Sequence, residues 1–309
     1  MTTTVLETSN PDEILEYTGI LLKEHTSKLQ SWKILQTLDK DEMLFIEGQH
    51  QSTLSDEYIY HETFVHSLMS GLRNPKKVLI LGGAEGCMAR EVVKWPSVQA
   101  VRQVDWDNAL VDYFKTDGWA WNGGAYSNPR VHVTCAEALG WLKTCGDSYD
   151  AIFVDLLDPE MEDMEFMKTL ILAAKERLAP NGGLSVNAGE VKAQITPACF
   201  LAKWMETEFT EPSFNRNAIH VRVPSYKGEW CFLMATPRLW SHNVQTNTYP
   251  SNLRLFTKQF LHGTTIWPRH FPDALQNFWK PTAEEYSRRE KLAAGPLYDY
   301  SKDLSLIHI

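Results

Sequence analysis

From Lys76 onward, short uninterrupted apolar runs alternate with stretches of helical pattern. The runs "KKVLILGG", "VQAVRQVDWD", "RVHVTC", "YDAIFVDLL" and "GLSVNAG" read as strands. Between them "CMAREVVKW", "NALVDYFKTDG", "EALGWLKTC" and "MEFMKTLILAAKERL" read as helices, the last stopped by "APNGG". A further helix, "PACFLAKWMETEF", precedes two closing strands, "NAIHVRVP" and "EWCFLMAT". Strands that are apolar along their whole length are buried on both faces. The pattern therefore requires βαβ units and a mostly parallel sheet covered on both sides. Seven strands with the last two joined as a hairpin predict an α/β fold with a Rossmann-like, methyltransferase-type sheet.

Residues 1–74 read differently. "WKILQTLDKDEMLFIEG" suggests two strands around the turn Asp39-Lys40-Asp41, and "HQSTLSDEYIYHE" continues that pattern after a bend at Gly48. "PDEILEYTGILLKEHTSKL" is apolar at helical spacing, with a strand at "TGILL" as the other reading. A small, mainly β domain over 1–74 followed by a Rossmann-like domain over 75–309 is expected. After Pro237 the chain is rich in aromatics and Pro, and "LHGTTIWPRHFP" reads as strand and loop closing over the domain edge.

Composition narrows the partners. No apolar run reaches membrane-spanning length, and the N-terminus lacks the basic and apolar regions of a signal peptide. The five cysteines are scattered without CxxC spacing, which suits a reducing compartment, so a cytoplasmic protein is expected. No His, Cys and carboxylate cluster has ligand spacing, and no metal is expected. The net charge of −9, with no evident basic face, argues against nucleic acid. It would steer a cationic small molecule toward the protein, or simply keep the chain soluble.

Ligands of an open α/β sheet bind outside the carboxyl ends of its strands. Here the first strand ends in "GGAEG" (Gly82 to Gly86), the second in Asp105 and Asp107, the third in Glu137, and the fourth in Asp155 and Asp158. All four ends are acidic. Glu85 stands where a dinucleotide's pyrophosphate would lie, and GxGxxG is not matched. An acidic crevice suits an uncharged nucleoside that carries a cationic group. Asp105 would accept from the ribose hydroxyls, Glu137 from an adenine amino group, and Glu85 would face the cation, as an adenosylsulfonium requires. Each acid also has a local reading, and Asp107 before "NALVDYF" reads as a helix N-cap rather than a ligand. Asp155 and Asp158 form a desolvated pair suited to a diamine or polyamine, in which one carboxylate takes a proton from an attacking amine. The pair also reads as an N-cap and a surface acid before "EFMKTL".

Across roughly residues 27–236 the chain resembles the polyamine aminopropyltransferases, the spermidine, spermine and thermospermine synthase family. Gln30 and then "QSTLSDEYIYHE" (Gln51, Thr53, Asp56, Glu57, Tyr60, Glu62) match the family's N-terminal signature. "GGAEG" matches its G-G-G-[DE]-G motif, "NPRVHVTCAEAL" its nucleoside segment, "VDLLDP" its D-[SL]-x-D-P gate, and "VPSY" its closing hairpin. The resemblance implies that decarboxylated S-adenosylmethionine serves as co-substrate, that no cofactor is needed, and that 5′-methylthioadenosine is released. By position it implies Asp155 and Tyr60 as catalytic residues. It implies Glu85 on the aminopropyl ammonium, Asp105 on the ribose and Glu137 on the adenine. Gln30, Gln51 and His61 would line the donor channel, with Gly82, Gly83 and Ala138 beside the donor. Asp158, Tyr226 and Trp230 would hold the acceptor amine. A homodimer or homotetramer joined through the N-terminal sheet is implied as well.

The chain departs from the family pattern at Ala84 (usually Gly), Glu85 (usually Asp), Asp105 (usually Glu) and Glu137 (usually Asp). Glu85, Asp105 and "DLLDP" look like the thermospermine and long-chain branch. Trp119, Trp121 and Trp230 lie on segments that border the family's site, where an aromatic wall would hold a polyamine. As a group they read first as core or interface aromatics. His66, His132 and His220 read as structural. An S-adenosylmethionine-dependent polyamine N-methyltransferase and a non-catalytic nucleoside- or polyamine-binding paralogue are the rival readings. Glu85 would repel a methionine carboxylate, and retention of Tyr60, Asp155 and Asp158 weighs against loss of catalysis.

Overall fold

A computed structural model describes residues 2–10, 13–156, 158–210, 213–237 and 250–278. The readings placed on Leu157 of "VDLLDP", on 238–249 and on 279–309 lie outside the described residues. Strands β1 (Thr2–Asn10), β2 (Glu13–Thr26), β3 (Ser31–Gln36), β4 (Glu42–Ile46) and β5 (Gln49–Thr53) pair in sequence order as an antiparallel meander.

Two expectations fail in this region. Glu13–Thr26 is strand throughout, not helix. Leu15, Tyr17 and Leu21 are half-buried while Ile14, Ile20 and Leu22 are exposed, so apolar residues on both faces hide the period of two. The strand pattern expected through "YIYHE" instead becomes helix α1 (Glu57–Met69). This helix buries Glu57, His61, Glu62 and His66 along with its apolar residues, so polar positions interrupt the period that would have announced it. Phe64 stacks on Phe232 with centroids 4.3 Å apart, which seats α1 on the second sheet. The expected domain boundary falls in the turn that follows α1. Met1–Phe278 form one compact unit containing both sheets.

The second sheet is assembled from β6 (Lys77–Gly82), α2 (Cys87–Val93), β7 (Ala100–Asp105), α3 (Asn108–Lys115), α4 (Trp119–Asn122) and β8 (Val131–Cys135). The chain then crosses through α5 (Ala138–Thr144) to β9 (Tyr149–Asp155), α6 (Met164–Lys175), β10 (Leu178–Val191) and α7 (Pro197–Glu208). The hairpin β11 (Phe214–Arg222) and β12 (Glu229–Pro237) closes the sheet. Its order is β11-β12-β10-β9-β6-β7-β8, parallel from β10 to β8, with β12 antiparallel to β10 and to β11. The central runs are fully buried, as at Val78 to Leu81 and Ala151 to Val154, which is why they read as uninterrupted apolar segments. The order reverses between β6 and β9, so the strand ends Gly82 and Asp155 lie side by side at the switch point.

Two smaller corrections follow. "APNGG" lies inside β10, where a register shift between Leu178 and Gly183 and a left-handed Asn181 (φ 65°) absorb the turn residues. Part of "LHGTTIWPRHFP" is helix α8 (Lys258–Thr264), with Thr257 accepting from Phe260 N as N-cap; a short α9 (Asp273–Gln276) follows.

Candidate active site

The carboxyl ends of β6 to β9 and the edge of the first sheet enclose a cavity of about 420 Å³. Its lining includes Gln30, Gly82, Gly83, Asp105, Glu137 and Ala138. Glu85, His61, Tyr60 and Asp155 line it as well, as do Gln51, Asp158, Tyr226 and Trp230. Every residue expected at the site is thus brought to one cavity.

Backbone geometry explains the glycines. Gly82 has φ 90°, and a Cβ there would collide with the Asp155 carbonyl oxygen, so only glycine lets β6 and β9 meet at this point. Gly83 (φ 67°) turns the chain away from the sheet, and the Gln103 side-chain amide ties down the Gly82 carbonyl at 3.0 Å. The resulting loop presents Glu85 to the cavity.

The acids behave differently from one another. Asp105 accepts from Asp107 N at 2.9 Å and is pushed up to about 6, first by burial and then by the nearby Glu85 charge. Asp107 caps α3 as expected, accepting from Leu110 N at 3.0 Å. Its other oxygen accepts from Gln30 Nε2 at 2.8 Å, and Trp106 Nε1 donates to Gln30 Oε1 at 3.3 Å, so Gln30 is fixed from both sides. Glu137 is the N-cap of α5, accepting from Leu139 N at 2.8 Å and Gly140 N at 2.6 Å. Its carboxylate is oriented by the helix, and a ligand would share it with those amides.

Tyr60 donates to Asp155 Oδ1 at 2.6 Å. Burial, followed by the Glu85 charge, pushes Asp155 up to about 7, against the opposing pull of the Tyr60 hydrogen bond and the His61 charge. A carboxylate held there exchanges a proton near neutrality, which is the property a general base needs. Burial also raises Asp158. Asn187 Nδ2 at 2.8 Å and Trp230 Nε1 at 3.2 Å both donate to Asp158 Oδ1. Tyr226 stands between Tyr60 (ring centroids 5.8 Å) and Trp230 (4.8 Å), forming an aromatic wall beside the two aspartates. Trp121 is instead a core residue and Trp119 is exposed, so only Trp230 of the three joins this wall.

His61 is almost fully buried and uses both ring nitrogens. Nδ1 lies 2.8 Å from Glu57 Oε2 and Nε2 lies 2.9 Å from Glu85 Oε1. Burial pulls its proton affinity down, but the two carboxylates outweigh that and raise it to about 10. His61, Glu85 and Asp155 bring one ligand atom each within 4.8 Å of one another, as do Glu57, His61 and Cys87, although sequence spacing suggested no such cluster. A histidine held as an imidazolium between two carboxylates has no lone pair for a metal.

Sequence reasoning passed over His50, Trp106, Phe166 and Asn187, which also line the cavity. His50 carries the clearest electrostatic signature, pushed down to about 4 by burial and then by Lys227. Asn187 lies in the strand "GLSVNAG", where it and Ser185 are the polar residues of a buried run, the available signal. His66 is buried against Glu91 and Trp95, and His220 pairs with Glu229, as structural residues do.

The family model for the spermine/spermidine synthase domain matches residues 57–247. A polyamine aminopropyltransferase of Sulfolobus acidocaldarius is 31% identical over 223 residues, 70% of this chain and 71% of that protein. One from Saccharolobus solfataricus is 34% identical over 194 residues, 62% of this chain and 63% of that protein. Among solved structures, the spermidine synthase of Thermotoga maritima superposes with a TM-score of 0.74 at 19% identity, covering 89% of this chain and 94% of that one. A spermidine synthase in complex with the transition-state analogue AdoDATO superposes with a TM-score of 0.76 at 20% identity, over 89% and 95% of the two chains. At such identities the two structures bear on the fold alone.

Proposed function

The chain belongs to the spermine/spermidine synthase family, an alkyl-transferase class, and from that premise we propose that it moves the aminopropyl group of decarboxylated S-adenosylmethionine onto an amine of a diamine or polyamine. The observation that carries this reading is the Tyr60–Asp155 pair, which lines one cavity with Glu85 and Asp158 and feels the charge of both. An alkylammonium acceptor held by Asp158, with Tyr226 and Trp230 against its methylenes, gives up one proton to Asp155. The freed nitrogen lone pair then attacks the carbon bound to sulfur. A C–N bond forms as the C–S bond breaks, the sulfonium keeps the bonding pair, and 5′-methylthioadenosine leaves as a neutral thioether. Glu85 holds the ammonium of the migrating group, Asp105 the ribose hydroxyls, and Glu137 the edge of the base. Gln30, Gln51 and His61 line the donor side with Gly82, Gly83 and Ala138. Positioning two cationic substrates in one acidic cavity supplies most of the acceleration, and proton removal the rest.

Two further properties belong to the same reading. Leu6, Ile14, Ile20 and Leu22 are exposed on β1 and β2, which supports association of chains through the first sheet into a dimer or tetramer. All five cysteines are free thiols, which supports a reducing, cytoplasmic setting. Among the described residues no helix is long and apolar enough to cross a membrane.

Calorimetric binding of decarboxylated S-adenosylmethionine against S-adenosylmethionine tests the assignment. Glu85 meets an ammonium in both, but the second ligand adds a carboxylate beside it. The decarboxylated ligand binds more tightly under this reading. Tighter binding of the carboxylated one would favour the methyltransferase, and binding of either without turnover the non-catalytic paralogue.

A further inference from the structure

Arg90 lies on α2, half-buried, and reaches neither the cavity nor any expected substrate contact. Its guanidinium grips Glu57 with Nη1 on Oε1 and Nη2 on Oε2, both at 2.9 Å, while Nε donates to Glu91 at 2.8 Å and a further N–H reaches the Trp121 carbonyl. A bidentate fork fixes a carboxylate in plane and direction as a lysine does not. Glu57 Oε2, held in this way, accepts from His61 Nδ1, and His61 Nε2 donates to Glu85 Oε1. The string Arg90–Glu57–His61–Glu85 therefore alternates in charge and sums to zero, and its last, negative member faces the cavity. Glu85 needs such a holder. It sits on a loop whose flanking Gly83 and Gly86 both adopt left-handed backbone, and the other side-chain donor to this residue among the described residues, Asn122, touches only its carbonyl, at 3.4 Å.

We propose that Arg90 is a positioning residue for the donor: through Glu57 and His61 it aims Glu85 at the ammonium of the migrating aminopropyl group. This rests on the aminopropyltransferase reading of the site. The effect is confined to the ammonium, because Asp105 and Glu137 are held by backbone amides that Arg90 does not touch.

The test compares decarboxylated S-adenosylmethionine with 5′-methylthioadenosine, which lacks the aminopropyl group with its ammonium and the sulfonium charge, by calorimetry on the full chain. Arg90→Gln weakens the first about tenfold, the value of one well-placed charge-assisted contact, and leaves the second within about twofold. Arg90→Lys keeps the charge but loses the fork, and recovers part of the loss. Should Arg90→Gln not fold, because the buried Glu57 carboxylate loses its cationic partner, Arg90→Lys still reads out the selective weakening. Lys94→Gln, which removes a cation of the turn after α2 that pairs with Glu91 at 2.6 Å, lowers the melting temperature without separating the two ligands. Equal weakening of both ligands by the Arg90 variants, or lost stability with neither affinity changed, overturns the proposal and leaves Arg90 a structural ion pair. A wild-type protein that binds neither ligand overturns the functional reading itself, and the proposal with it.

Discussion

The Tyr60 hydroxyl donates to Asp155 Oδ1 across 2.6 Å, joining the first helix to the end of the central strand β9. That hydrogen bond favours the ionised carboxylate, while burial and the Glu85 charge oppose ionisation and set Asp155 at about 7. Activity should therefore rise with pH through about 7 as Asp155 becomes a base. Tyr60→Phe removes the hydrogen bond that pulls Asp155 down, so the acidic limb of kcat/KM moves to higher pH. The rate on the plateau falls about tenfold, less than the roughly 10² to 10⁴ that the base itself contributes. A pH–rate profile of the variant checks both.

The acceptor side has its own anchor. Asp56, just before α1, accepts from Ser225 N and Ser225 Oγ, both at 2.8 Å, and so fixes the short turn Pro224–Tyr226 that carries Tyr226 into the cavity. Ser225→Ala removes one of these bonds, and Asp56→Asn weakens both. Each should raise the KM of the acceptor several-fold, about 1 kcal/mol per lost bond, with the donor KM unchanged. Steady-state kinetics with each substrate varied in turn separates the two effects.

His61 makes stability depend on pH. Its affinity for a proton is raised from 6.5 to about 10 in the folded chain, so between those values the folded state binds a proton that the unfolded chain has released. This contribution is complete below about 6.5 and is lost as pH climbs through about 10. Urea unfolding at pH 7 and pH 9 should show the wild type losing stability with rising pH. His61→Gln should flatten that slope.

Gly82→Ala tests the close approach at the switch point. The left-handed backbone (φ 90°) and the collision of a Cβ with the Asp155 carbonyl act together. The substitution should cost about 3 kcal/mol or more in thermal or denaturant unfolding and displace Asp155 in whatever protein folds.

The doubly wound sheet was legible because its strands are buried on both faces, and uninterrupted runs such as Ala151 to Val154 have no other comfortable place. The acidic strand ends were legible because the fold puts those positions at one crevice. The first helix was not. Glu57, His61, Glu62 and His66 are buried polar residues whose partners lie far away in sequence, so nothing local marks them as interior. Glu62 shows why: its carboxylate takes the backbone N–H groups of Arg254, Leu255 and Phe256, at 2.7 to 3.0 Å, almost two hundred positions along the chain. Glu137 marks a different boundary. Its place at a strand end was visible, but whether the carboxylate serves helix or ligand depends on the capping amides of α5. β2 escaped because Ile14, Ile20 and Leu22 on its exposed face and Leu15, Tyr17 and Leu21 on the other together hide the alternation of a strand.

The group transferred decides the reaction class. Purified protein would be offered a panel of diamines and polyamines, each with decarboxylated S-adenosylmethionine and separately with S-adenosylmethionine, and the products read by mass spectrometry alongside Asp155→Asn. An aminopropyl adduct from the decarboxylated donor is expected, with 5′-methylthioadenosine released and the rate about 10² to 10⁴ lower in the variant. A methyl adduct from S-adenosylmethionine, or an aminopropyl adduct formed equally fast by Asp155→Asn, would contradict that expectation.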